Sequence, residues 1–305
     1  MIVEQGALVE CVPNFSEGRR LDVLAALVEA IRSVPGVRLL SHSADPDHNR
    51  SVFTFVGAPE PLLEAAFRAA RTAVERIDME HHRGQHPRIG AVDVAPFVPI
   101  AGVSMEDCVR LAERMAERLW VELEVPVYLY GQAARCSERV RLSAVRRGQY
   151  EGLKETIGQV ERFPDIGDPR LHPTAGAAAV GAREPLIAFN INLRGADLAV
   201  AKRIARAVRE SSGGLVNLQA QGMWMDSRGL AQVSMNLLDY HSTPLYRAFE
   251  LVRMEAERFG AVIASSEAIE LLPLDAVLET FSYYLRLASF GREKVLEWRL
   301  LEEET

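Results

Sequence analysis

Apolar residues recur along the chain at two spacings, and the change from one spacing to the other predicts the order of the secondary-structure elements. Leu21, Leu24, Leu27, Val28 and Ile31 repeat every three or four positions, which is typical of a helix with one buried face. Short apolar runs bounded by Pro, Gly, Asp and Asn indicate strands. In the first half of the chain the patterns predict strand, helix, strand, strand, helix, extended segment, helix and strand, with bounds 8–13, 16–36, 37–43, 51–57, 60–77, 89–100, 105–124 and 125–130.

The second half of the chain repeats this order without obvious sequence identity. After a less regular stretch from residue 131 to 181, the pattern predicts strand, helix, strand, strand, helix and strand at 184–193, 198–210, 214–223, 230–238, 243–259 and 262–265. Both halves match the split βαβ arrangement. The predicted fold is α/β (α+β), with two ferredoxin-like βαββαβ sandwich subdomains and a cleft between them.

The boundary between the two predicted subdomains falls at the Ala- and Gly-rich run TAGAAAVGA, residues 174–182, which we interpret as a hinge. This gives an N-terminal subdomain of residues 1–180 and a C-terminal subdomain of residues 181–305 that includes a terminal helix from residue 281 onward. Because ligands prefer crevices between domains, we expect a substrate in the predicted cleft.

Composition narrows the class of protein. The 305 residues carry a net charge of −7, which disfavours a nucleic-acid partner. The three cysteines are widely spaced and do not suggest a disulfide framework, which indicates a reducing compartment. The N-terminus lacks the positive charge that begins a signal peptide, and no apolar run approaches about 18 residues. We therefore expect a cytoplasmic protein with no membrane partner.

The segment MEHHRGQHPRIGAVD, residues 79–93, contains three of the seven histidines. His82 and His86 have the four-residue spacing of two metal ligands on one helix face. Gly84 lies between them and Pro87 disfavours the α conformation of the residue before it, so the pair is expected on a loop. On spacing alone, a metal site, a catalytic site and an exposed loop all stay open, although no HExxH pattern or nearby cysteine supports the metal.

His86 fits a catalytic role better than the other two histidines. The fixed ring of Pro87 stiffens the backbone that carries its imidazole, and an imidazole can accept and return a proton near neutral pH. Arg88 could bind a substrate carboxylate, and Asp93 could orient the imidazole. Residues 81–82 lack such a frame and are interpreted as loop surface.

Polar residues near two strand ends of the first half are further candidates for substrate binding. Asn14 and Ser16 follow the first strand, where Ser16 is a candidate helix cap and the helix N-terminus offers amide donors to an anion. The turn DPDHNR places Asp45, Asn49 and Arg50 in one connection, opposite the histidine segment if the flanking strands pair. It is either an ordinary hairpin turn or one wall of the cleft.

Two further candidates lie later in the chain. The Pro- and Gly-rich loop at 164–177 is long, as binding loops often are, and matches neither nucleotide-binding fingerprint. Asn190, Asn192 and Gln232 alternate with apolar residues on two predicted strands. Their neutral amides suit a pteridine- or amide-bearing ligand, and they equally suit an ordinary solvated sheet face.

Together these motifs resemble the formiminotransferase domain of the glutamate formimidoyltransferases. The resemblance runs from about residue 8 to about residue 278 in the same order. It is carried by VECVPNFSEGR, DPDHNRSVFTFVG, HPRIGAVDVAPFVPI, VPVYLYG, PLIAFNINL and AQVSMNLLDY. Animal members of this family carry a cyclodeaminase domain after this one, so the resemblance implies that the second activity is lacking here.

The resemblance implies transfer of a formimino group from N-formimino-L-glutamate to N5 of tetrahydrofolate, a step of histidine degradation and one-carbon metabolism. It implies His86 as the catalytic base and acid, tetrahydrofolate as co-substrate, no metal, and a homodimer. It also implies a folate-contacting loop formed by Gly167, Asp168, Pro169, Arg170, Leu171, His172, Pro173, Thr174, Ala175 and Gly176. This loop has Ala175 where the animal proteins have tryptophan.

Both substrates carry glutamate carboxylates, so Arg50, Arg88 and Arg183 are candidates for guiding them. A single imidazole could take the proton from N5 and deliver one to the departing glutamate nitrogen. Two alternatives stay open. One is formyl transfer between glutamate and 5-formyltetrahydrofolate, and the other is a folate-binding module without turnover.

Overall fold

The computed structural model describes residues 6–226, 228–269 and 271–303, and these form two compact units divided between Arg183 and Glu184. Each unit contains one β-sheet and its own helices. The prediction of a mixed α/β protein with two subdomains is therefore confirmed. The bounds of the first unit are β1 (Leu8–Cys11), β2 (Asn14–Phe15), α1 (Leu21–Arg32), β3 (Arg38–Asp45), β4 (Arg50–Gly57), α2 (Pro59–Arg76), β5 (Val92–Ala101), α3 (Met105–Leu123), β6 (Val127–Gly131), α4 (Leu142–Val145), α5 (Gln149–Thr156) and β7 (Ala178–Ala182).

The sheet of the first unit has a ferredoxin-like centre with two added strands. β1 and β2 flank the Val12–Pro13 dipeptide and both pair antiparallel with β4 and β5, while β3 pairs with β4 at the edge. Beyond β5 the sheet continues with β7 and then β6, and both of these pairings are parallel. This arrangement places the residues before β5, which include the three histidines, next to the start of β4 and to the segment that precedes β7.

Helices α1, α2 and α3 bury their apolar faces against this sheet. The prediction of α1 is confirmed in its apolar face but not in its start, because the helix begins at Leu21 and Ser16 is not its cap. The carboxylate of Glu17 accepts the backbone amides of Arg19 and Arg20 instead, at 2.8 and 3.0 Å. The helix start therefore already holds an anion from the chain itself, which the sequence pattern did not predict.

The second unit is a complete βαββαβ element with the strand order β11-β8-β10-β9. Alternate residues of β8, namely Ile187, Ile191 and Leu193, face a core formed with helices α6 and α7. Because side chains alternate across a strand, the asparagines of β8 lie on the opposite face. The bounds of this unit are β8 (Ile187–Arg194), α6 (Leu198–Val208), β9 (Leu218–Met225), β10 (Leu230–Leu237), α7 (Leu245–Arg258), β11 (Val262–Ala268), α8 (Leu274–Leu285) and α9 (Leu296–Glu303).

Two interpretations of the sequence are wrong. The run at 174–182, interpreted as a hinge, ends in β7, whose five residues are all buried and which lies between β5 and β6. Alanine and glycine fit there because the flanking strands approach closely, and a Cβ added to Gly181 would clash with the Tyr130 carbonyl oxygen. The region from residue 281 onward is not one helix, since α8 ends at Leu285 and α9 begins at Leu296.

The close approach at Gly181 generates a stability prediction. We expect Gly181→Ala to lower the free energy of unfolding by about 2 kcal/mol, because the added methyl group meets the backbone and ring of Tyr130. Gly152 is the matched control, because it lies inside α5 and an added Cβ would meet no other atom within 4 Å. Gly152→Ala should raise stability by about 0.5–1 kcal/mol. Urea denaturation followed by circular dichroism measures both, and equal effects of the two changes would contradict the steric argument.

Candidate active site

His86 lies on the loop that connects α2 to β5, in a small polar depression of the first unit. Its side chain is half-buried, and its Nδ1 atom is buried without a hydrogen-bond partner among the residues that the structure describes. A buried ring nitrogen in this state is unusual, since buried polar atoms nearly always have a partner. The depression is lined by Ser16, His48, Asn49, Arg50, His82, His86, Arg88 and Asp93.

The surroundings of His86 keep its imidazole neutral. Burial lowers the pKa of His86 to about 2, and the charges of Arg50, Arg146 and His48 act in the same direction. The His48 ring meets the His86 ring edge-on at a centroid distance of 6.1 Å, and its Nδ1 lies 3.0 Å from the Asp45 carboxylate. The turn DPDHNR is thus next to the histidine loop, as expected if the strands pair.

Asp93 is buried at the start of β5, but its partners differ from the one we expected. Its carboxylate accepts the Ile89 backbone amide at 3.0 Å and forms an ion pair with Arg146, which directly follows α4. It is therefore engaged by Arg146 rather than bonded to His86. Arg146 was missed by sequence reasoning because it is 53 residues from its partner and no local pattern marks it.

Arg88 is almost fully buried, and its guanidinium is directed into the protein. Two of its nitrogens donate to the Glu151 carboxylate at 2.7 and 2.8 Å, and one also donates to the Gln149 side chain at 3.1 Å. Its Nε donates to His82 Nδ1 at 3.1 Å. These bonds leave little donor capacity for a substrate carboxylate, which was the role suggested by the sequence. Hydrogen bonding to Arg88 lowers the pKa of Glu151 to about 2.

His82 is buried, so its interpretation as loop surface is wrong, whereas His81 is exposed as expected. The His82 Nε2 atom lies 2.8 Å from the Asn49 carbonyl oxygen, and burial lowers the pKa of this imidazole. Because Arg88 Nε can only donate and a carbonyl can only accept, His82 is neutral with its proton on Nε2. No local pattern could indicate this, because Asn49 is 33 residues away in the chain and Arg88 lies beyond Pro87.

Asn49 and Asn14 have structural partners of their own. Asn49 adopts a left-handed backbone conformation with φ of 49°, and its side chain accepts the Gly18 amide at 3.0 Å and donates to the Arg83 carbonyl at 3.1 Å. Asn14 donates to the Val12 carbonyl at 3.0 Å. Both side chains therefore hold the backbone around the depression.

The loop 167–176 is attached to the histidine segment by backbone hydrogen bonds. The Met79 amide donates to Thr174, and the Ala91 amide donates to Ala175, at 2.7 and 2.8 Å. Residues 172 and 176 pair with each other, and Ala175 and Gly176 are withdrawn from solvent. The side chains of Asp168, Pro169, Arg170 and Pro173 are exposed, so any ligand contact of this loop is expected there.

The remaining candidates are distributed between the two units. Asn192 and Gln232 lie buried on the second sheet, where Gln232 donates to Asn192 at 2.8 Å and Asn192 donates to Ser265 at 3.0 Å. Asn190 is half-buried on the same strand and pairs with Ser234 across the sheet. Arg183 ends the first unit, and its backbone amide donates to Phe97 at 3.1 Å. The structure thus brings together the candidates around His86 within the first unit.

The described part of the chain holds neither a group of metal ligands nor a helix suited to a membrane. Within ranges 6–226, 228–269 and 271–303, no three His, Cys, Asp or Glu side chains are grouped so as to hold a metal ion. No helix in the same ranges combines the length and apolar character needed to cross a membrane.

Comparison with known proteins decides the family. The family model for "Formiminotransferase domain, N-terminal subdomain" matches residues 8–183, and that for "Formiminotransferase domain" matches residues 188–295. The chain belongs to the formiminotransferase family. Glutamate formimidoyltransferase of Streptococcus pyogenes is 45% identical over 96% of this chain and 99% of its own length. The protein of the same name from Thermoplasma acidophilum is also 45% identical, over 96% of this chain and 97% of its own length.

The mouse formimidoyltransferase-cyclodeaminase is 46% identical over 97% of this chain. The match covers 54% of the mouse protein, so this member of the formiminotransferase family spans about half of that relative. The family resemblance drawn from the sequence motifs is therefore confirmed over nearly the whole chain.

The depressed pKa of His86 predicts how stability depends on pH. Below the ordinary pKa of 6.5, His86 binds a proton in the unfolded chain but not in the folded chain. The free energy of unfolding is therefore highest above pH 6.5 and decreases as the pH falls. Between pH 7 and pH 5, the wild type should lose about 2 kcal/mol more stability than His86→Gln.

Urea denaturation at a series of pH values measures this difference. His81→Gln is the control, because the exposed His81 should leave the wild-type pH dependence in place. If the wild type and His86→Gln lost stability in parallel below pH 6.5, the buried neutral imidazole would be contradicted.

Proposed function

We propose that this chain is a glutamate formimidoyltransferase, which moves the formimino group of N-formimino-L-glutamate to N5 of tetrahydrofolate. The single observation that carries the proposal at the site is the buried, unpartnered Nδ1 of His86. A buried nitrogen without a protein partner is costly unless a water molecule or a ligand atom satisfies it, and a substrate proton donor would do so. The names of the full-length relatives support the same reaction.

His86 carries the proton in this proposal. Attack by N5 on the formimino carbon forms a new C–N bond and requires N5 to lose its proton. His86 accepts that proton and returns it to the glutamate nitrogen as the old C–N bond breaks. Atoms and charge balance with one imidazole, and the products are 5-formiminotetrahydrofolate and glutamate.

The charges of the substrates act on the pKa of His86. In the unliganded site the pKa of His86 is about 2, because the imidazole is buried and lies near the cations of Arg50 and Arg146. An imidazole with that pKa is a poor base. Both substrates carry carboxylates, and an anion near Arg50 offsets the part of the pKa shift that the cations produce, although not the larger part that burial produces.

The substrate contacts follow from where the cations and exposed side chains lie. Arg50 lines the depression beside His86 and is the proposed partner of a substrate carboxylate. The exposed side of the loop 167–176 is the proposed folate contact. Tetrahydrofolate acts as co-substrate without a metal ion in this proposal. The family resemblance supports a homodimer, and the widely spaced cysteines support a cytoplasmic location.

The direct test is a steady-state assay on the purified protein. Formiminoglutamate and tetrahydrofolate should yield 5-formiminotetrahydrofolate and glutamate, with turnover unchanged by EDTA. If tetrahydrofolate binds but no product forms, the transferase proposal is wrong. Faster glutamate-dependent consumption of 5-formyltetrahydrofolate than of the formimino pair would instead favour the formyl donor.

Replacement of His86 tests its role. His86→Ala should lower kcat by on the order of 10² to 10⁴ while the Kd for tetrahydrofolate changes little, because the proton carrier is lost and the folate contacts are not. His81→Ala provides the control, as its ring is exposed and bonds Asp78 at the surface. A His86→Ala protein with near-normal kcat would remove His86 from the mechanism.

A further inference from the structure

Three side chains that the proposed proton transfer does not use form a continuous hydrogen-bonded chain beneath the His86 loop. The Glu151 carboxylate accepts from both terminal nitrogens of Arg88, Arg88 Nε donates to His82 Nδ1, and His82 Nε2 donates to the Asn49 carbonyl. We call Glu151, Arg88 and His82 the His82 chain. Its links measure 2.7–3.1 Å, so each is a well-formed bond.

The hydrogen bonds of the His82 chain anchor both ends of the short loop that carries His86. His82 precedes His86 by four residues and Arg88 follows it by two. His82 and Arg88 are buried, at 6% and 5% exposure, whereas the intervening Gln85 and Pro87 are exposed. The loop between His82 and Arg88 has no regular secondary structure. His82 and Arg88 thus anchor the loop on both sides of His86, in addition to the bond from the Gln85 amide to the Asp47 carbonyl at 3.3 Å.

The chain also connects His86 to the elements around it. At one end Glu151 belongs to the first turn of α5. At the other end the Asn49 carbonyl directly precedes Arg50, one of the cations that acts on His86. The Asn49 side chain adds a second link by donating to the Arg83 carbonyl at 3.1 Å. One hydrogen-bond network thus connects the loop that carries the His86 imidazole to the backbone next to Arg50.

We propose that His82 and Arg88 are positioning residues for His86, which hold its imidazole in place through the hydrogen-bonded chain from Glu151 to Asn49. The inference rests on the proposed function, in which His86 carries the proton. It differs from the sequence-based expectation, in which Arg88 binds a substrate and His82 is surface. Positioning matters because a displacement of about 1 Å can cost roughly 10² in rate.

The two adjacent histidines supply a matched pair of variants. His82→Ala should lower kcat by about 10- to 100-fold, with KM for either substrate changed by less than about threefold. His81→Ala should leave both parameters at the wild-type values. A loss expressed in KM alone, or equal kcat values for the two variants, would overturn the proposal.

A conservative variant separates positioning from simple loss of packing. His82→Asn keeps an acceptor oxygen near the place of Nδ1, so Arg88 Nε retains its partner. We expect His82→Asn to recover a substantial part of the kcat that His82→Ala loses, at similar melting temperatures. No recovery by asparagine in a folded protein would contradict the chain. Glu151→Gln, at a largely exposed position, tests the other end and should lower kcat less than His82→Ala, with the melting temperature measured alongside.

An NMR measurement tests the positioning without relying on turnover. In protein labelled at histidine, the His86 ring signal is assigned by its loss in His86→Gln. It should shift or broaden in His82→Ala and stay unchanged in His81→Ala. An unchanged His86 signal in His82→Ala would overturn the positioning role even if the enzyme is active, whereas wild-type inactivity with a shifted signal would overturn only the proposed function.

Discussion

Two ion pairs join the histidine segment to the region of α4 and α5, and the local structure of the site depends on them. The histidine segment supplies the anion of one pair and the cation of the other. Asp93 at the start of β5 pairs with Arg146 after α4, and Arg88 pairs with Glu151 in α5. Arg88, Arg146 and Asp93 are largely withdrawn from solvent. Removing one member of the buried Asp93–Arg146 pair leaves a charge uncompensated, which typically costs about 3–5 kcal/mol. The loop before β5 therefore keeps its place although it lacks helix or strand hydrogen bonds of its own.

The electrostatic character of the site follows from these pairs and from burial. Burial is the main cause that keeps the His86 imidazole uncharged, and the charges of Arg50, Arg146 and His48 add to it. A bound anion would offset the part of this pKa shift that the cations produce.

Periodicity was sufficient to predict most of the fold. The apolar face of α1 and the alternating strands of the second unit follow from spacings of three to four and of two residues, which depend only on local geometry. β7 was missed because its alanines and glycine are dictated by the close approach of its neighbours and carry no strand signal. The preference for His86 as the catalytic candidate rests on Pro87 and Gly84, which act on the adjacent backbone, and it stays a prediction.

The partners of the site could not be predicted in the same way. Arg146 and Glu151 lie more than 50 residues from the carboxylate and guanidinium that they bind. A single sequence records no such distance, so His82 was assigned to the surface and Asp93 to the wrong partner. Gly90 shows what these long-range contacts imply. Its backbone lies so close to residues 175 and 177 that an added Cβ would clash with both of their carbonyl oxygens. The loop proposed to contact folate and the segment that carries the proposed proton carrier are thus in direct backbone contact at Gly90, so a change in the path of one would displace the other.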